Sequence, residues 1–107
     1  MSENENTFGK EIARLRKKLS MSQKDLADLV LKEDNTHITP QYLNDIEHDR
    51  RNPSSDSIIK SFSKALQLEP KDEDYLFYLA GKMPEDLRDI NKENFYKAIT
   101  AFRKTNK

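Results

Sequence analysis

The chain has no cysteine, which excludes disulfides and thiolate metal centres and is compatible with a reducing compartment. It has two glycines and four prolines and no alternating apolar run long enough for a strand, while apolar residues recur at spacings of three and four. An all-α fold is therefore expected. No apolar run approaches about 18 residues and the opening MSENENT is polar, so neither a membrane span nor a signal peptide is expected and the location reads as cytoplasmic. Neither sign of charge is in excess: 19 basic and 19 acidic side chains cancel, and bulk attraction to a polyanion is missing. With 107 residues, 35% hydrophobic and 36% charged, one small domain with an appendage and a modest core is the expected organisation.

Catalytic signatures are also missing. There is no P-loop, no glycine-rich dinucleotide fingerprint and no HExxH, and His37 and His48 have no spaced partner for zinc. Ser61-Phe62-Ser63-Lys64 matches S-x-x-K at the level of chance, and the acids Asp72, Glu73 and Asp74 suit the positive start of a helix without an ion. No enzymatic activity, metal or cofactor is expected.

What is present lies between Ser22 and Pro53. Ser22 reads as an N-cap followed by Leu26, Ala27, Leu29 and Val30 at helical spacing. Thr39 is the next N-cap, with Pro40 at the first helical position, where its fixed φ and missing N–H do no harm. That second helix buries Leu43 and Ile46 and leaves Gln41, Asn44, Asp45 and His48 outward. Gln and Asn amides offer a donor and an acceptor side by side, the geometry that pairs with the N6/N7 edge of adenine in the major groove. The bland reading is that an exposed helix carries polar residues anyway.

The segments MSQKDLA (Met21 to Ala27), ITPQYLNDIE (Ile38 to Glu47) and RNP (Arg51 to Pro53) resemble the phage-repressor type of helix-turn-helix, the XRE family, over roughly Thr7 to Leu68. The resemblance implies a five-helix repressor-type domain that binds double-stranded DNA, usually as a homodimer on a two-fold symmetric operator. It implies base contacts from Pro40, Gln41, Asn44 and Asp45, with Gln23 and Arg51 at the DNA backbone; Lys24, Thr39, His48 and Arg50 are expected to contact the backbone beside them. It also implies a structural role for Glu47, pairing with the arginine of the loop that follows. Arg14, Lys17 and Lys18 could join Lys24, Arg50 and Arg51 in a local basic patch that compensates for the neutral total.

Two features depart from the family pattern. Leu31 to His37, LKEDNTH, is longer than the usual turn and lacks Gly, so either the second helix runs on or a polar loop is inserted. Asp49 stands where the family has Gly after the recognition helix, and Asp tolerates the left-handed conformation better than most residues.

Elsewhere, Met1 to Asn6 reads as a disordered lead-in, and a first helix from Thr7 to Leu19 carries the stripe Phe8, Ile12, Leu15 and Leu19. A fourth helix from Ser55 to Gln67 turns Ile58, Ile59, Phe62, Ala65 and Leu66 inward. A fifth starts in capped fashion at Pro70, carries Tyr75, Leu76, Tyr78 and Leu79, and stops at Gly81. Residues 69–107 form a C-terminal helical extension whose last helix, from Asn91 to about Lys104, has the stripe Phe95, Ile99 and Phe102. That stripe packs either on its own chain or against a mate in a homodimer. Two functions follow: a transcriptional regulator, expected to be a repressor, or an antitoxin or adaptor-type module that binds a protein partner.

Overall fold

The computed structural model describes residues 6–53 and 55–82. These form five helices: α1 Phe8–Lys18, α2 Gln23–Ala27, α3 Pro40–Glu47, α4 Asp56–Ala65 and α5 Pro70–Leu79. The all-α expectation holds, and no strand occurs among the described residues. The helix expected from Asn91 onward, with Phe95, Ile99 and Phe102, lies outside them.

Local chemistry sets the helix starts. Thr7, Ser22, Thr39 and Ser55 all have extended backbone, and each side chain accepts from the N–H three residues on, satisfying a donor the helix cannot. At α2 the cap is reciprocal, because Asp25 also accepts from the Ser22 N–H at 3.0 Å, and the two Ser22 hydrogen bonds hold the Asp25 carboxyl below its ordinary pKa. Helix α5 begins on Glu69 and Pro70 without a side-chain cap, contrary to the capped start expected there.

The helix ends share one geometry. After α1, α3, α4 and α5 the chain passes through a left-handed residue: Ser20, Asp49, Gln67 and Gly81, with φ of 59°, 62°, 58° and 76°. In each case that residue's N–H and the next one bond back to the last turn, as with Asp49 N to Ile46 O and Arg50 N to Asp45 O, both within 3.1 Å. These are Schellman motifs. Only one of the four uses glycine, so Asp49 does take up the conformation expected of it.

The helices close around Ile12, Leu26, Leu43, Ile46, Ile59, Phe62 and Leu76, all buried. Phe8 meets Phe62 edge to face at 5.7 Å, a favoured aromatic arrangement. Helix α1 crosses α3 and touches α5, while α2 lies on α3 and α5 on α4. Leu76 joins the same core as Ile12 and Phe62, so α5 completes the packing. The α1–α3 crossing depends on Gly9: a Cβ there would strike the carbonyl oxygen of Ile46 and lie 2.7 Å from Asp49 Oδ1.

Three further sequence expectations are corrected. Leu19 caps α1 and is 42% exposed, so the stripe ends at Leu15. Helix α2 ends at Ala27, leaving Leu29 52% exposed; its apolar spacing continued beyond the helix. Asn6 is not a free lead-in residue, since its amide donates to Glu11 Oε1 at 2.9 Å and to the Tyr75 hydroxyl at 3.3 Å.

The long connection is an inserted loop and not a longer helix. Leu31 and His37 form an antiparallel bridge, closed by Lys32 N to Thr36 O at 2.8 Å and Asn35 N to Lys32 O at 3.0 Å. Asn35 supplies the left-handed step, φ 67°, in the turn-plus-αL pattern of a short hairpin. Asp34 accepts from both the amide and the hydroxyl of Thr36, which lowers its pKa. The loop is fixed to α4 by Leu31 N donating to Ser61 Oγ at 2.8 Å, a structural use for the serine of the S-x-x-K match.

Candidate nucleic-acid interface

Helix α3 buries Leu43, Ile46 and Glu47. The opposite face carries Gln41, Asn44, Asp45 and His48, spaced i, i+3, i+4 and i+7, exposed or half-exposed. The four residues expected outward thus share one surface, with Pro40 and Thr39 at its upper edge.

These side chains are already organised. Gln41 Nε2 donates to Asp45 Oδ1 at 3.0 Å, and Arg50 Nε donates to the same oxygen at 3.2 Å. Gln23 Nε2, at the start of α2, donates to Asn44 Oδ1 at 3.2 Å and to Glu47 Oε1 at 3.0 Å. Both amide hydrogens of Gln23 are therefore engaged, and its side chain has only its carbonyl oxygen to offer a further partner. Thr39 Oγ1 accepts from Tyr42 N at 3.0 Å and keeps its O–H for donation. His48 Nδ1 lies 2.9 Å from Asn44 O. A carbonyl only accepts, so Nδ1 carries the hydrogen, and Nε2 donates to a phosphate only when the ring is protonated.

The buried anchor of this face is an ion pair that spacing along the sequence does not disclose. Glu47 was expected to pair with the arginine of the following loop; instead it takes two hydrogen bonds from Arg16 of α1, Nε to Oε2 at 2.7 Å and Nη2 to Oε1 at 3.0 Å. Arg16 also donates to Met21 O at 2.8 Å, and the Glu47 hydrogen bonds keep its guanidinium charged, with the pKa raised. Arg51 lies instead over the Tyr42 ring, 4.7 Å from its centre, with Lys32 at 5.9 Å, in cation–π range. Arg16 is the residue that sequence reasoning missed. Its signal was a charged side chain one position after Leu15, on the border of the apolar stripe.

The cations do not form one uninterrupted patch. Arg14 is bound to buried Glu11, with Nη2 to Oε2 at 2.6 Å. Lys24 pairs with Asp28 at 3.0 Å and Arg50 with Asp45, all on exposed stems except Asp45; surface pairs of this kind are weak and exchange readily for another anion. An open cleft of about 520 Å³ runs between α1 and the end of α3, with Lys10, Arg14 and Lys17 on one wall and Gln23, Glu47 and His48 on the other. The surface is thus a polar strip flanked by cations, of which Arg14, Lys24 and Arg50 are already partnered to carboxylates. Among the described residues no group of acids and histidines could hold a metal, and no helix is long and apolar enough to cross a membrane.

A protein-family model described as Helix-turn-helix matches residues 12–71, from within α1 to the start of α5. Comparison with curated proteins and with solved structures finds no significant match.

Proposed function

Because this chain belongs to the helix-turn-helix family, in its phage-repressor or XRE type, and is a DNA-binding regulator of that kind, we propose that it is a sequence-specific repressor that acts by occupying its operator. The observation that carries this reading is the strip on α3. Gln41, Asn44 and Asp45 stand together on the face opposite Leu43 and Ile46, and polar amides and a carboxylate in that arrangement suit base edges in the major groove. Pro40 brings the start of the helix close to the DNA. Thr39, Lys24, Arg50 and Arg51 contact the phosphates, joined, when protonated, by His48. Gln23 joins them through its backbone N–H at the start of α2, since both hydrogens of its amide are engaged. A bound domain excludes polymerase by occupancy alone, the simplest regulatory act open to it.

One recognition helix spans too few base pairs for useful selectivity. The proposal therefore includes a homodimer, joined through Phe95, Ile99 and Phe102, that places two heads on half-sites roughly 34–36 Å apart.

The test is fluorescence anisotropy of the full chain on duplex DNA from upstream of its own coding region, against a scrambled duplex, at two salt concentrations. Binding about 10³-fold tighter to the upstream duplex, weakened by salt, is expected. Equal affinity for both duplexes, or none at low salt, would overturn the repressor reading. The second reading, an antitoxin or adaptor-type module for a protein partner, would then stand in its place; the balance of 19 basic and 19 acidic residues is what favours it.

A further inference from the structure

Two carboxylates determine which way the amides of the reading strip face. A carboxylate can only accept, so an amide beside it must present nitrogen. Glu47, buried and held by Arg16, therefore receives Gln23 Nε2. That same nitrogen reaches Asn44 at 3.2 Å, and a nitrogen with hydrogens must meet oxygen. Asn44 is thereby fixed with Oδ1 toward Gln23 and Nδ2 turned away, its two hydrogens left for an outside partner. Gln41 differs, since it gives one hydrogen to Asp45 and keeps the other together with its carbonyl oxygen.

We propose that Asn44 is a donor-only reader of a guanine edge, and that Gln23 is a specificity-determining positioning residue which sets this polarity without touching a base. This rests on the groove-reading role proposed above. A free amide pairs with adenine by using its donor and acceptor together, whereas an amide whose oxygen faces Gln23 and whose nitrogen is the atom turned outward is best matched by two adjacent acceptors. In the major groove guanine alone offers these, at O6 and N7. The amino groups of adenine and cytosine meet the Asn44 hydrogens donor to donor, and thymine has one acceptor beside a methyl group.

The experiment is selection from a randomised duplex library by the full-length protein and three variants, followed by anisotropy on the enriched duplexes. Wild type is expected to enrich guanine at one position of each half-site, by roughly 5- to 150-fold over the other bases. Asn44→Ala should erase the preference at that position only. Asn44→Asp still accepts from Gln23 but turns an acceptor outward, and should exchange guanine for cytosine there. Gln23→Met removes the relay at nearly constant length and should let guanine and adenine enrich alike at that position, with the other positions unchanged. A merely structural role for Gln23 would lower all affinities together and leave the base profile intact.

If Asn44→Ala alters no position, Asn44 is not a reader and both the inference and that part of the proposed function fail. If it alters one position but wild type selects adenine there, or Gln23→Met leaves the profile unchanged, the relay is refuted while the groove-reading role survives. Should Gln23→Met not fold, judged by its circular dichroism melt, Asn44→Asp decides: retention of guanine overturns the inference.

Discussion

Replacing Glu47 by alanine tests whether the reading head is held together by one buried ion pair. The carboxylate accepts from Arg16 twice and from Gln23 once, and the Arg16 and Glu47 side chains are only 11% and 4% exposed. Glu47→Ala leaves Arg16 with the single carbonyl of Met21, a cation largely shielded from water. Orphaning one member of a buried pair costs about 3–5 kcal/mol; the remaining Met21 bond places this case at roughly 3–4 kcal/mol. That is a large share of the roughly 5–10 kcal/mol total for a domain this small, and at about 4–8 °C per kcal/mol it lowers Tm by roughly 12–30 °C. Urea unfolding followed by circular dichroism at 222 nm measures it. The double variant Arg16→Met, Glu47→Leu removes both charges and should return to within about 1 kcal/mol of wild type, because the penalty lies in the unpaired charge more than in the pair. A loss below about 1 kcal/mol for Glu47→Ala, or a double variant as unstable as the two single changes combined, would refute the reasoning.

Gly9→Ala drives a methyl group into the Ile46 carbonyl and should cost about 1–3 kcal/mol or more in the same denaturation assay, while Ala at exposed Lys10 should be nearly neutral. Gln67→Gly relieves a left-handed non-glycine residue with φ 58° and should add about 0.5–1 kcal/mol; no gain would mean that the Gln67 side chain compensates for its backbone. The lowered pKa of Asp25 means that its cap contributes fully above the unfolded-state value and is lost as pH falls through the folded one. The stability gap between wild type and Asp25→Asn should therefore narrow in acid, and a pH-independent gap would exclude the linkage. Arg51→Ala should weaken all duplexes alike and flatten the slope of log K against log salt by about one unit; an unchanged slope would confine Arg51 to its packing on Tyr42.

How much of this was legible in the sequence follows from how local each cause is. Ser22, Thr39 and Ser55 announce helix starts because a capping hydroxyl acts within three residues. The strip on α3 was equally legible, since Gln41, Asn44 and Asp45 share a face by helical spacing alone. Glu47's partner was not. Arg51 lies four positions away and Arg16 thirty-one, and the choice between them is made by the α1–α3 crossing that Gly9 permits. Helix α2 was overextended for a related reason: Leu29 keeps the apolar rhythm, but Val30 is already committed to Ile38, whose N–H bonds to its carbonyl at 3.0 Å. Neither the polarity of Asn44 nor the engagement of Gln23's hydrogens has any trace in residue order, because both descend from that distant ion pair.

The hairpin between α2 and α3 has a bearing on how such a domain can be altered. Its two feet are fixed, at Val30–Ile38 and at Leu31–Ser61, and its tip, Glu33 to Thr36, is exposed. The angle between the two helices is thus set beneath the loop by the core and not by the number of residues crossing it. Lengthening a chain at a pinned, solvent-facing tip adds little closure entropy. The tip is therefore a port at which a peptide tag or fluorescent reporter can be spliced without disturbing the helices on either side.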